Sequence, residues 1–151
     1  VGNIGSRHRF SYGALGDHVN LGSRLEGLNK MYGTEILIGE NTARLVRETF
    51  VLREIDMVQV KGRKQPVRIY ELLDKVGIKF PGEKEQLLLL YAAGLEAYRR
   101  QAWTEALEHF QECYRILPED RPSKVMADRC RIYLKSPPTQ DWDGVFEHKS
   151  K

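Results

Sequence analysis

The chain has 151 residues, 41% of them hydrophobic and 30% charged, proportions that exclude a disordered or fibrous protein and suit one ordinary domain or two small ones. Its net charge of +3 lies wholly in the first half. Residues 1–75 carry 12 Lys/Arg against 9 Asp/Glu, and residues 76–151 carry 12 of each, a bias that an anionic ligand or a surface accident would explain equally well.

In chain order, Arg9 to Ala14 reads as extended. A helix is expected from Asp17, which caps it, to Tyr32, with Gly33 as its stop. "EILIG" at 35–39 is a compact apolar strand. Asn41 is expected to cap a second helix running to about Glu48, with Ala43, Leu45 and Val46 inward. "FVLREIDMVQV" and "QPVRIYELL" read as two strands joined by the basic turn "KGRK". The order strand, helix, strand, helix, strand, strand predicts an α+β layer with helices on one face of a sheet. It starts too abruptly for a complete domain, and with no initiator Met the chain reads as a piece of a longer protein.

The Gly, Pro and charge content of 76–85 marks a linker. Beyond it lies an all-α region over 86–135, with helices expected at Leu87 to Arg100, Trp103 to Leu117 and Pro122 to Leu134. The stretch 136–151 is irregular, and either packs through Trp142 and Phe146 or is loose. The longest apolar run, Leu87 to Leu95, falls well short of the ~20 residues that cross a bilayer. No secretory signal pattern opens the chain. Cys113 and Cys130 lack metal-ligand spacing and read as buried free thiols of a reducing compartment.

The residues most apt for chemistry are Asn20 and Arg24. One helical turn apart, they share a face at the edge of the Leu21, Leu25 and Leu28 stripe. Arginine brings a fork of donors suited to phosphate, although spacing alone favours a solvated edge on which Arg24 pairs with Glu26 or Glu48. Lys61 on spacing alone is a turn lysine. "VGNIGS" lacks the length and Lys-Ser/Thr of a P-loop. "RHRF" at 7–10 lacks a stacking platform, so no nucleic-acid partner is expected. The four histidines form no triad or ligand spacing.

The stretch "GNIGSRHRFSYGALGDHVNLGSRLEGL", then "YGTEILIGE" and "VQVKGRKQPVRIYEL", resembles the C-terminal half of a class III adenylate/guanylate cyclase catalytic domain over residues 1–75. The G-D-x-V-N-x-x-S-R-L-E core from Gly16 to Glu26 and the V-K-G turn at 60–62 are independent matches. The resemblance implies part of a ferredoxin-like cyclase domain, working as a homodimer with a nucleoside triphosphate at the interface. It assigns Asn20 to the ribose, Arg24 to the α-phosphate as the 3′-oxygen attacks, and Lys61 to the terminal phosphates. The product implied is a 3′,5′-cyclic nucleotide, with ATP expected over GTP. Gly13, seven positions before Asn20, stands where the family commonly has a base-contacting Asp, Thr or Ser, so base selection is left open. The Mg²⁺ or Mn²⁺ ligands of the family lie upstream of Val1, and this chain alone is expected to be inactive. An inactive, nucleotide-sensing or partner-binding version of the domain is the alternative. A cytoplasmic location is expected, with membrane attachment of the parent left open.

The helical region resembles a tetratricopeptide repeat. From Leu87 the register places Gly94, Tyr98, Trp103, Ala106, Phe110, Cys113 and Pro118 at its small, aromatic and proline positions, while Ala97 stands where an aromatic is usual. A single repeat cannot bury its own faces. It should lean on the helix from Pro122 or on the first domain, and it offers a surface for a protein partner.

Overall fold

A computed structural model describes residues 27–59 and 65–146. Residues 9–14, the start of the first helix, the KGRK turn and residues 147–151 lie outside the described residues. Within them the architecture is α+β. Helix α1 is helical over 27–32, followed by strand β1 (Leu37–Gly39), helix α2 (Glu40–Val46) and strands β2 (Phe50–Val58) and β3 (Val67–Lys75). Helices α3 (Gly82–Arg99), α4 (Trp103–Ile116) and α5 (Arg121–Lys135) follow.

The sheet has the order β1-β3-β2 with both pairings antiparallel. β1 and β2 therefore run parallel on either side of β3, and α2 carries the chain from one edge to the other. The β2–β3 register runs from Phe50 opposite Lys75 to Val58 opposite Val67. It slips between Glu54 and Asp56, so Ile55 is an extra residue on β2. Such a bulge reverses which residues of a strand point inward. Arg53 and Ile55 are buried before it, and Asp56 and Val58 after it.

Helix α1 ends where the sequence places its stop. Gly33 has φ +70, and its N–H and that of Thr34 both donate to the Asn29 carbonyl, at 2.8 and 3.1 Å. A β-carbon at Gly33 would lie 2.6 Å from Cδ of Arg121, so glycine here serves both the turn and a close approach by α5.

Helix α2 departs from expectation. Gly39 is its N-cap, with no side-chain cap bond, and Asn41 lies inside the helix accepting from Nη1 of Arg44 at 3.0 Å. Ala43 is buried as expected, but Leu45 is 84% exposed. Two residues along a helix is a rotation of about 200°, so one flank of this short helix meets the sheet and Leu45 points away from it.

Helix α3 begins at Gly82, inside the stretch read as linker, and the β3 strand ends at Lys75. Helices α3 and α4 are joined by three residues and α5 packs on α4. Gln101, in the connection, holds a left-handed φ of 64. Its N–H bonds the Tyr98 carbonyl and that of Ala102 the Ala97 carbonyl, both at 2.9 Å, closing the end of α3. Leu87, Tyr91, Leu95, Tyr98, Trp103 and Phe110 form the helical core with Met126, Cys130 and Tyr133 of α5. Trp142 and Phe146 of the tail pack onto it, Trp142 5.4 Å from the Tyr98 ring and Phe146 5.6 Å from that of Tyr133. Both cysteines are free and buried, and burial pushes the Cys113 thiol up to about 11 and that of Cys130 to about 12.

The α3–α4 contact is closest at Gly94. A β-carbon there would lie 2.8 Å from Cε1 and 2.9 Å from Cζ of Phe110, a buried ring with no room to yield. Gly94→Ala should therefore lower stability by about 1–3 kcal/mol through overpacking. Gly82, whose added methyl would meet nothing within 4 Å, should tolerate alanine within about 0.5 kcal/mol. Urea titrations of the two variants compare these outcomes.

Candidate functional site

Asn20, Arg24, Lys61, Gly13 and Asp17 lie outside the described residues. What the structure places is the frame around them: the last turn of the helix expected to carry Asn20 and Arg24, and the strand ends Val58 and Val67 that flank the V-K-G segment.

That last turn is seated on the sheet. Leu28, Met31 and Tyr32 pack with Leu37, Ile55, Val58, Val67 and Ile69, and Val125 of α5 joins the same cluster. Tyr32 is fully buried, and its hydroxyl donates to Oδ2 of Asp56. Arg129 of α5 closes a triangle. Its Nη1 also donates to Oδ2 of Asp56, and its Nη2 donates to the Tyr32 oxygen at 2.9 Å. Oδ1 of Asp56 accepts the Met57 N–H at 2.7 Å. Burial and the Asp56 carboxylate push the Tyr32 pKa well up, with Arg129 pulling the other way, so the hydroxyl stays a donor. Burial disfavours the Arg129 cation, but Asp56 and the surrounding tyrosines outweigh this and keep it charged.

A second buried pair lies alongside. Arg53 donates from Nη2 to Glu71 at 2.8 Å and to Oδ1 of Asp120 at 2.9 Å, and from Nη1 to Oδ2 of Asp120 at 3.1 Å. Asp120 is also the N-cap of α5, accepting from the Ser123 N–H at 3.3 Å and from the Ser123 hydroxyl. The Tyr91 hydroxyl of α3 donates to the Ile55 carbonyl at 2.8 Å. Three positions of β2 within four residues, Arg53, Ile55 and Asp56, are thus tied to the helical region.

Sequence reading missed Arg53, Asp56, Asp120 and Arg129. Two signals were available. Arg129 falls in the apolar stripe of α5 at helical spacing from Pro122, Met126 and Tyr133, a position where a cation requires a buried partner. Asp120 precedes Ser123 by three residues at a helix start, which is N-cap spacing.

A cavity of about 440 Å³ opens between β2 and α3, with Leu52, Leu88 and Leu95 among its walls. Of the charged groups lining it, Arg99 donates from Nη1 to Oε2 of Glu54 at 2.7 Å while its buried Nε and Nη2 have no hydrogen-bond partner, and Arg53 is held by Glu71 and Asp120, which lie outside the lining. No nucleophile–base pair lines it. Among the described residues, no group of three or more His, Cys, Asp or Glu could hold a metal ion, and no helix is long and apolar enough to cross a membrane.

Comparison with known proteins relates the chain to adenylate cyclases. It is 38% identical over 146 residues to the terminal-differentiation specific adenylate cyclase of Dictyostelium discoideum, covering 90% of this chain and 6% of that protein. It is 38% identical over 76 residues to adenylate cyclase 1 of Rhizobium meliloti, covering 50% of this chain and 11% of the relative. With the adenylate cyclase of Anabaena cylindrica it shares 44% identity over 75 residues, 48% of this chain and 15% of the relative. The chain therefore spans only a small part of the length of each relative. These relatives support a cyclase-related family. No protein-family model matches the chain, and no solved structure matches it.

The Asp120 pair gives stability a defined acid limb. Burial would raise its pKa, but hydrogen bonds and charge from Arg53, with help from Ser123, win and hold it below the usual carboxylate value. A carboxyl depressed on folding contributes stability above its unfolded value of about 3.9 and loses it as pH falls through the folded value. Stability should thus fall below about pH 4, and Asp120→Asn should flatten that limb. The same variant should cost about 3 kcal/mol at neutral pH, since it leaves the buried Arg53 less compensated. Urea midpoints between pH 3 and 7 measure both effects.

Proposed function

We propose that this chain is the C-terminal part of a class III nucleotide cyclase catalytic domain with an appended tetratricopeptide-like helical region. In the complete protein it would convert ATP, less readily GTP, into the 3′,5′-cyclic nucleotide and pyrophosphate for intracellular signalling. The observation that carries this reading is the paired match, G-D-x-V-N-x-x-S-R-L-E at Gly16 to Glu26 and V-K-G at 60–62, in a chain with several relatives named adenylate cyclase. The antiparallel β2–β3 pair supports it, since it brings both flanks of the V-K-G segment together at Val58 and Val67.

In this reading Asn20 hydrogen-bonds the ribose and sets the 3′-oxygen toward the α-phosphorus. A bond forms between those atoms as the 3′-hydroxyl gives up its proton to water, and the bond from the α-phosphorus to the bridging oxygen breaks so that pyrophosphate leaves. Arg24 stabilises the charge that builds on the α-phosphate, and Lys61 holds the terminal phosphates. Phosphoryl transfer depends mainly on such positioning and charge stabilisation. The residues described here do not form a metal site. Mg²⁺ or Mn²⁺, held by residues outside this chain in a paired domain, would supply Lewis-acid chemistry. This chain by itself is then inactive, and the working unit is a homodimer.

A second reading, a cyclase-like domain that senses nucleotide or binds partners without turnover, is favoured by Gly13 alone, which offers the base no side chain.

Cyclase assays of the full-length parent with ATP and with GTP decide between them. Turnover is expected with ATP, with Arg24→Ala lowering kcat by about 10²–10³-fold, the loss typical of one transition-state donor, and Asn20→Ala also lowering it strongly. Wild-type rates in either variant would remove that residue's assigned role, and an inert parent would favour the second reading.

A further inference from the structure

We propose that Tyr32, Asp56 and Arg129 are positioning residues for Asn20 and Arg24, so that the helical region sets the geometry of the reacting helix. The inference rests on the cyclase reading and adds a role for the appended helices.

At the C-terminal end of α1, Arg129 holds the Tyr32 hydroxyl at 2.9 Å, Val125 packs in the cluster around Tyr32, and Arg121 lies against Gly33 so closely that no β-carbon fits. Arg121, Val125 and Arg129, spaced along one face of α5, therefore lie against Gly33, the cluster that holds Tyr32, and the Tyr32 hydroxyl. Asp56 of β2 fixes both Tyr32 and Arg129, which ties the helix end to the strand that leads into V-K-G.

A helix is stiff over three or four turns, so a tilt at its anchored end displaces side chains further along it. The expected helix from Asp17 to Tyr32 places Arg24 about two turns and Asn20 about three turns from Tyr32. A misplacement of about 1 Å costs roughly 10²-fold in rate. The anchored end contributes no group to the nucleotide. Its loss should therefore act on turnover more than on substrate affinity.

Two variants of the full-length parent separate positioning from folding. Tyr32→Phe keeps the buried ring and the Arg129–Asp56 pair and removes only the hydroxyl link. The double variant Asp56→Leu/Arg129→Met replaces the pair with apolar side chains, a change that preserves folding in comparable buried pairs, but leaves Tyr32 unheld. Both should lower kcat about tenfold, by the same sensitivity to placement, with KM within about twofold and circular dichroism unchanged. Both should also speed amide hydrogen exchange in peptides covering residues 17–32, a readout independent of activity.

Unchanged exchange over 17–32 together with unchanged kcat in an active parent overturns the inference and leaves the cyclase reading standing. A parent that turns over neither ATP nor GTP refutes the cyclase reading, and with it the catalytic part of the inference. Exchange then still decides whether this network holds the helix.

Discussion

The Arg129–Asp56–Tyr32 triangle joins three elements far apart in the chain, α5, β2 and α1, at a point closed to solvent. Removing two charges from water costs several kcal/mol per ion, and their attraction recovers this only when geometry and hydrogen bonding are good. Here the conditions are met: both Asp56 oxygens accept, and the Tyr32 hydroxyl both donates and accepts. An apolar trio could fill the same volume at no loss of stability. What it could not do is fix direction. Oil-like contacts tolerate sliding, whereas a guanidinium shared between a carboxylate and a phenol tolerates little. We therefore read the triangle as a device for placement. Arg53 with Glu71 and Asp120 repeats it three residues earlier on β2.

Much of the element order was legible in the sequence, because period and punctuation carry it. Gly33 stops α1, the strands follow their apolar patterns, and Trp103 and Phe110 lie in the helical core as their spacing implies. The alternative that the tail packs is the one observed, through Trp142 and Phe146. Helix α2 departs from its sequence pattern at its cap and at Leu45, since seven residues are too few to show which flank meets a sheet. The junction was illegible for a different reason. Strict alternation along "LREIDMV" would turn Asp56 outward if Arg53 and Ile55 point inward, and only the bulge at Ile55 brings both phases inside. A bulge is a property of two paired strands, so one strand read alone does not reveal it. The candidate site itself, Asn20, Arg24 and Lys61, was proposed from sequence and lies outside the described residues.

The same junction bears on how the two halves of the chain relate. Composition suggests a sheet part, a linker and a separate helical part. The structure shows a short connection over 76–81 and then helices whose side chains complete the sheet's own core: Val125 packs with Ile55, Val58 and Ile69, and Tyr91 bonds the Ile55 carbonyl. A three-stranded sheet cannot by itself cover both its faces. The helical region supplies part of that cover, beside the last turn of α1, and also caps its own α5 with Asp120, the residue that neutralises Arg53.

Asp120 shows why these roles are inseparable. As an N-cap it fixes where α5 begins, and as the partner of Arg53 it fixes where that beginning sits on the sheet. The start of α5 thereby sets the distance to Arg129, two turns further on, which reaches Asp56 and Tyr32. The match to the Dictyostelium discoideum relative covers 90% of the chain, more than the strand-containing part can account for, so the resemblance runs through the helices as well. A helical appendage that merely hung from a cyclase would leave the strands free of it. In this chain the appendage and the strands share buried charges, a core and a cap, and the helix expected to bear the reacting residues ends at the point where they meet.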